Sequence, residues 1–428
     1  MVALSYDRAS SRVRIVAALA ASTIVAVLVF SVSEPETLFS DFYKAYYPAA
    51  QAVLGERGTL EASFERGAGG FVNLPILAWL FAPFALLPPT AAGYGFFALG
   101  IAAAITAWQG LVQLATLNAS GAMLLGFAFA ANGPLHNSLR EGNTTHFALL
   151  LLVLGLRSLR RRREIAAGAC FAVAALLKLP LLAIGVYFLF RRWRVALAGA
   201  AVCAAVGAAS VALFGWDLHV FWYENSLLPF MRGGLSAFNV QSIRGFVARL
   251  LDGPTHLFDW QPRSATPSVV LLSNGIVGLL LVTAVAAMAW PPRWRRASQR
   301  DLSGSTVIEI EFLIVLMLAL IASTVSWSHY YAWVLVPAAF FIGSTPHLPA
   351  SPLARGAGWC ALLLAFPPVI FVQISDPTWL QLYGRFAVSH YLAGGCLLFT
   401  LLVLSRWSAT PSGAGRPTIP RRSRSNTP

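Results

Sequence analysis

Apolar runs long enough to cross a bilayer recur along this chain, and they decide its fold class before any motif is read. A hydrocarbon core needs about 20 apolar residues of helix to span it. Apolar segments, most of them near that length, lie at about 13–33, 72–88, 90–116, 119–135, 143–156, 164–190, 193–214, 269–290, 307–326, 330–343, 353–373 and 385–405. Only 11% of the 428 residues are charged, against about 25% in a soluble domain. The sequence therefore predicts an all-α polytopic membrane protein of about 11–13 transmembrane helices. One transmembrane domain is expected over 1–405, with larger outer loops at 34–70 and 215–267, and a disordered basic tail at 406–428. A membrane β-barrel would instead show short alternating segments.

The formal charge is +14, from 31 Lys and Arg against 17 Asp and Glu. The basic residues gather in short connections: Arg8, Arg12 and Arg14, then 157-RSLRRRR-163, 191-RRWR-194, 293-RWRR-296 and Arg406 onward. Clusters placed this way orient helices in a membrane and argue against nucleic acid as a partner. Residues 13–32 follow arginines but carry no small-x-small cleavage site, so a retained first helix is expected. Cys170, Cys203, Cys360 and Cys396 sit in apolar runs without CxxC spacing, and read as buried small side chains. Strict alternation from helix 1 would put 157-RSLRRRR-163 on the wrong side. Either 119–135 does not fully cross, or 164–190 is two short helices meeting near Lys178–Pro180. The second has local support, because "LLKLP" sets a charge and a helix breaker in mid-run.

Several polar residues stand where an oily chain has a reason to keep them. Asp41 opens 41-DFYKAYYPAAQAVLGERG-58, a stretch expected to form an interface helix capped by Ser40 or Asp41 and ending at Gly55 or Gly58. Tyr43, Tyr46 and Tyr47 suit the headgroup level. A carboxylate beside apolar surface also becomes a better base, since desolvation raises its pKa. Lys178 is too far from Arg191 to share its surface, and a lysine at depth calls for an anion such as a phosphate headgroup. In 136-HNSLREGNTTHF-147, Arg140, Asn143 and His146 stand at the start of an apolar helix, where free N–H groups favour anions. His329 lies in 326-SWSHYY-331 among Trp327, Tyr330, Tyr331 and Trp333, where aromatic faces suit sugar rings and an imidazole suits phosphate. In 238-FNVQSIRGFVARLL-251 the apolar spacing predicts an amphipathic helix, with Arg244 and Arg249 available to lipid phosphate or to packing. There is no Walker A motif, no HExxH and no DxD pair, and no segment on the basic side is long enough for a nucleotide-binding fold. An enzyme of this shape takes an activated donor from the membrane itself.

Read together, these stretches resemble a membrane glycosyltransferase of the GT-C superfamily, specifically glycosyltransferase family 87. They are similar to the polyprenol-phosphate-mannose-dependent mannosyltransferases of bacterial envelopes. The resemblance runs in order through "SDFYKAYYPAAQAVLGERG", "FVNLPILAWLFAPFALLP", "REGNTTHFALLLL", "RRRREIAAGACFAVAALLKLPLL", "FNVQSIRGFVARLL" and "SWSHYYAWVLVP", over roughly residues 35–345. It departs from the family pattern at 71-FVNLP-75 and after Gly142. It implies a GT-C-type bundle in the bacterial inner membrane with its active site on the extracytoplasmic side. It implies an inverting transfer of a hexose, mannose above all, from a polyprenyl-phosphate donor to a glycan or glycolipid hydroxyl. Asp41 would be the catalytic base. Lys178, His329 and Arg140 would hold the donor phosphate, and Tyr46, Tyr47, Asn143, Tyr330 and Trp327 would contact sugar or acceptor. No cofactor is implied. A secondary transporter or flippase for a lipid-linked sugar is the alternative from another class, although no repeat of two related halves is visible.

Overall fold

Prolines, glycines and capping asparagines cut the apolar runs into more helices than their hydropathy suggests. The computed structural model describes residues 38–289, 304–343, 351–368 and 377–408; the first helix expected at 13–33, the 293–296 cluster and residues 409–428 lie outside them. A π-helical turn, Phe42–Tyr46, runs into α1 (Tyr47–Val53). That helix stops before Gly55 and Gly58, whose φ of 73° and 72° suit glycine alone. Thr59 caps α2 (Leu60–Phe64). The span expected at 72–88 is instead a 3₁₀ stretch, Pro75–Leu80, followed by α3 (Ala82–Ala85), because Pro75, Pro83 and Pro88 interrupt an α-helical ladder.

Next come α4 (Pro89–Leu114), α5 (Ala119–Ala130), α6 (Gly133–Arg140) and α7 (Thr145–Arg160). Asn118 and Asn132 accept the backbone N–H of Gly121 and Leu135, both at 2.8 Å, and so start α5 and α6. With 12 residues α5 rises about 18 Å; with α6 it leads from Leu114, whose carbonyl accepts from Arg160, to the turn whose carbonyls accept from Phe39 and Asp41. After it, α8 (Glu164–Leu177) and α9 (Leu182–Arg191) are separate helices broken at Lys178. Arg192 Nη1 donates to Glu164 Oε1 at 3.2 Å, which ties the end of α9 back to the start of α8. The pair is thus a hairpin with Lys178 at its tip, as the second idea weighed for the alternation problem has it. The 157–163 and 191–194 clusters share one end of the bundle.

From that end α10 (Trp193–Trp222) runs the length of the bundle with a kink at Gly215, where φ is 77°. The second outer loop holds α11 (Leu228–Arg232), the antiparallel pair β1 (Gly233–Gly234) and β2 (Arg263–Ser264), and α12 (Ile243–Asp252). Then follow α13 (Pro267–Ala289), α14 (Gly304–Ala322), a 3₁₀ segment at Ser328–Val334, α15 (Leu335–Ile342), α16 (Pro352–Ala365), α17 (Pro377–Arg385) and α18 (His390–Ser408). Among the described residues, four helical stretches are long and apolar enough to cross a membrane: Pro89–Leu114, Trp193–Arg232, Pro267–Ala289 and Pro377–Trp407. Five shorter apolar helices accompany them among the described residues. The protein is an all-α polytopic membrane protein.

Two features close the ends. At the basic end, Glu309 and Glu311 of α14 are buried. Arg160 Nε and Nη2 donate to the Glu309 carboxylate at 2.5 and 3.0 Å. Glu311 accepts from Arg191 and Arg406, each at 2.8 Å, and from the Tyr187 hydroxyl at 3.1 Å. Arg406 therefore belongs to the bundle rather than to the tail expected from 406, and α18 continues to Ser408. At the other end the outer loops meet the 326–331 segment: Ser328 N–H donates to Asn239 O and Gln241 N–H to Ser326 O, both at 2.6 Å. Arg249 does not face lipid. It is fully buried and donates to the carbonyls of Ala237 and Val240 and to Ser389 Oγ, while Arg244 binds Met231 O and Asn274 Oδ1.

Candidate active site

The turn between α6 and α7 is built to receive residues 39–42. Gly142 has φ of 67°; its N–H bonds to Leu139 O at 3.1 Å, and that of Asn143 bonds to Ser138 O at 2.8 Å. This pair of bonds is a Schellman C-cap, which needs a left-handed residue where Gly142 stands. The turn leaves the Arg140 and Glu141 carbonyls facing outward. Arg140 O accepts Phe39 N–H at 2.6 Å, and Glu141 O accepts the N–H groups of Asp41 and Phe42 at 2.9 and 3.2 Å. A Cβ at position 142 would stand 2.7 Å from Phe42 Cβ, so the close approach also requires glycine.

Asp41 does not cap its helix. Its backbone is already helical, and its side chain makes no capping bond. The carboxylate turns to Asn143 instead, whose Nδ2 donates to Asp41 Oδ2 at 2.6 Å. Asn143 is itself oriented, because its Oδ1 accepts Thr145 N–H at 3.1 Å and Thr145 Oγ1 at 2.9 Å. Oδ1 of Asp41 has no hydrogen-bond partner among the described residues.

The facing wall comes from the hairpin tip and the 3₁₀ segment. Lys178 is buried, with Nζ 5.0 Å from the centre of the Tyr330 ring. Tyr330 stacks on Trp333 at 5.0 Å and 19°, and Trp333 Nε1 donates to Thr145 O at 3.3 Å. The same segment holds His329, whose Nδ1 lies 3.4 Å from Glu141 Oε2. Asn137 Nδ2 donates to Ser328 Oγ at 3.3 Å and ties α6 to this segment.

Burial pushes the Asp41 carboxyl up to about 6 and Glu141 adds to the effect, while His329, Asn143 and Lys178 oppose it. Glu141 is likewise pushed up to about 6 by burial, with Arg140, Asn137 and Lys178 opposing. The pocket thus pairs two carboxylates of near-neutral pKa with a buried ammonium and a buried imidazole. A carboxyl in this range changes its charge close to physiological pH.

Of the residues singled out from the sequence, the structure gathers Asp41, Asn143, Lys178, His329 and Tyr330. Tyr46 joins them: it stacks on Phe81 at 4.5 Å, its hydroxyl is 3.5 Å from Thr144 Oγ1, and it lies within electrostatic reach of Asp41. Arg140 stands at the edge, with Nη2 bonded to Asn137 Oδ1 at 3.1 Å and 3.9 Å from Glu141 Oε1. Two residues are not brought in. The Tyr47 hydroxyl donates to Leu87 O at 2.9 Å. Trp327 bridges to Val240 and packs against Leu235, Ala237 and Val240 in the second outer loop. Nor do the tyrosines form a headgroup belt, since Tyr46 and Tyr47 are buried in an aromatic cluster with Phe42. His146 bonds Ser138 Oγ through Nδ1 at 3.0 Å and presses its Nε2 toward Gly100, so it faces α4. Glu141 is the residue that sequence reasoning missed. Its one signal was an acid between Arg140 and Gly142 in a polar block flanked by apolar runs. Of the cysteines expected to be buried, Cys170, Cys203 and Cys396 are half-buried and Cys360 is exposed. Among the described residues no group of three or more His, Cys, Asp or Glu is placed to hold a metal ion.

A polytopic helical bundle that gathers two carboxylates, a lysine and a histidine where its outer loops converge is the architecture of a membrane protein with a candidate active site at one end. The profile of glycosyltransferase family 87 matches residues 71–324, more than half of the chain, and the chain belongs to that family of membrane glycosyltransferases. It is also similar to a polyprenol-phosphate-mannose-dependent alpha-(1-2)-phosphatidylinositol pentamannoside mannosyltransferase of Mycolicibacterium smegmatis. Identity is 27% over 347 residues, covering 78% of this chain and 75% of the relative.

Proposed function

We propose that the protein transfers a hexose, mannose in the first instance, from a polyprenyl-phosphate donor to a hydroxyl of a glycan or glycolipid on the outer face of a bacterial inner membrane. Support comes above all from one observation: the Asp41 carboxylate, oriented by Asn143, shares a pocket with Lys178 and His329. The acceptor oxygen attacks the anomeric carbon as the bond from that carbon to the phosphate oxygen breaks. Oδ1 of Asp41 takes the hydroxyl proton. The phosphate leaves with the bonding electrons, and Lys178, His329 and Arg140 hold the charge that develops on it. A single displacement inverts the anomeric centre, so a β-linked donor gives an α-linked product. Tyr46 and Tyr330 supply aromatic walls for the sugar or acceptor. The distribution of basic clusters supports the orientation, with 157–163 and 191–194 facing the cytoplasm.

The test uses membrane vesicles, labelled polyprenyl-phosphate mannose and Asp41→Asn. Loss of a general base lowers transfer by about 10²–10⁴-fold. Undiminished transfer in the variant would reject Asp41 as the base. Label that crosses the bilayer without forming a new glycosidic bond would mark the chain as a transporter.

A further inference from the structure

We propose that Glu141 and His329 form a proton-loading pair that couples binding of the donor phosphate to the uptake of one proton from solvent. This rests on the reading of the Asp41 pocket as the donor site.

The charge inventory of the pocket motivates it. Asp41 and Glu141 bring two carboxylates, and the fully enclosed cation facing them is Lys178. Arg140 lies at the rim, with a side chain 39% exposed and 3.9 Å from Glu141. A phosphodiester entering this pocket adds a further negative charge where little water is present to screen it, and like charges at close range in such surroundings disfavour ionisation strongly. The compensating proton needs a site, and the geometry offers one. His329 has a side chain only 6% exposed, with Nδ1 3.4 Å from Glu141 Oε2. Neither of its ring nitrogens has a hydrogen-bond partner among the described residues. A buried imidazole with two unused nitrogens is costly unless something else completes it. A proton on Nδ1 makes the bond to Glu141 and fixes the ring, and Nε2–H is then free to donate to a phosphate oxygen. The neighbouring titratable groups are Asp41 ahead of α1, Lys178 at the hairpin tip, His146 on α7 and Tyr330 on the same 3₁₀ segment. Of these Asp41 and Lys178 compete for the proton near neutrality, and Glu141→Gln, which leaves both in place, separates them. The raised pKa of Glu141 agrees with a pair that holds its proton weakly when empty and firmly when an anion is bound.

The probe is a short-chain polyprenyl-phosphate mannose, a phosphodiester with no titration of its own near neutral pH. Its Kd is measured without acceptor, by tryptophan fluorescence of the full chain in detergent, between about pH 6 and 8. For the wild type, Kd is expected to rise by up to about tenfold per pH unit across this range. Glu141→Gln removes the charge that calls for the proton. It should bind at the alkaline end as tightly as the wild type does at the acid end, with a flat profile. A purely structural role would instead weaken binding at every pH. Asp41→Asn should keep most of the slope. A flat wild-type profile, a slope retained in Glu141→Gln, or a slope lost in Asp41→Asn overturns the proposal, as does an absence of binding throughout. Transfer to acceptor is assayed in parallel. If the binding behaves as described but no mannosyl transfer occurs, the proton coupling stands and the transferase reading fails.

Discussion

Removing the Asn143 amide should shift the pH dependence of transfer in a direction and by an amount the geometry sets. Asn143 donates to Asp41 at 2.6 Å and favours its ionised form, against the burial that pushes the carboxyl up to about 6. A hydrogen bond to a charged group contributes about 1.5–3 kcal/mol, and one pH unit corresponds to about 1.4 kcal/mol. Water entering the space left by Asn143→Ala recovers part of the bond, so the carboxyl should rise by about one further unit. The base acts as the carboxylate, so kcat/KM climbs as pH rises through its pKa and then levels off. In the wild type the limb should be centred near pH 6. In Asn143→Ala it should be centred about one unit higher, with activity about fivefold lower at the wild-type midpoint and little change on the alkaline plateau. The assay is initial-rate mannosyl transfer at low donor concentration, at constant ionic strength. Thr145→Val, which removes one of the two donors holding Asn143 Oδ1, should give a smaller shift of the same sign. A limb that stays in place while the plateau falls would refute this reasoning and assign Asn143 to the sugar instead.

Three further outcomes follow from the same contacts. A carboxyl whose folded pKa lies above its ordinary value of 3.8 weakens the fold when ionised, and the penalty fades as pH falls through about 6. Asp41→Asn should therefore melt above the wild type near pH 8, by about 1–2 kcal/mol in stability, with the advantage vanishing near pH 4; a constant difference across pH would contradict this. Gly142→Ala introduces a side chain at φ of 67°, 2.7 Å from Phe42 Cβ. It should cost about 1–2 kcal/mol in backbone strain and lower transfer by displacing Asp41; full activity would show that the 39–42 docking is not needed. Glu311→Ala leaves Arg191, Arg406 and the Tyr187 hydroxyl without their shared acceptor. Breaking a buried charge pair costs about 3–5 kcal/mol, so folded yield and melting temperature should both drop, and an unchanged melting curve would mean that water reaches this cluster.

What the sequence revealed of the site follows from where a polar group is expensive. Lys178 in an apolar run and Asp41 beside the membrane stand out because desolvation must be offset by a partner, and both line the pocket. Glu141 did not stand out. It lies in a segment already rich in polar residues, where one more acid carries no cost visible in sequence. Tyr47 and Trp327 fail for another reason. They share motifs with Tyr46 and Tyr330, yet helix phase turns Tyr47 toward Leu87, and a backbone bridge to Val240 sends Trp327 to the outer loop. The fold shows the same contrast. Apolar composition made the membrane class plain, but a run broken by prolines and one that crosses unbroken have the same hydropathy, so 72–88 looked like a span. The "LLKLP" break was legible because proline and lysine each disturb a buried helix in a different way.

That break also explains how the bundle puts a cation at depth. The 14 residues of α8 rise about 21 Å, roughly two-thirds of a 30 Å hydrocarbon core. The hairpin is fixed at the basic end, where Arg192 meets Glu164 and Arg191 meets Glu311. Its tip therefore cannot slide back far enough for Lys178 to reach the surface it started from. With snorkelling closed off, the ammonium is stabilised by the Tyr330 ring and by anions that come to it, and Asp41 and Glu141 are delivered to it from the opposite end by the α6–α7 turn. A hairpin that crossed fully would have left the lysine in solvent, and a shorter one would have stranded it in the apolar core. The length of α8 is in this sense a property of the site, because it sets the depth at which positive charge awaits a lipid-borne phosphate.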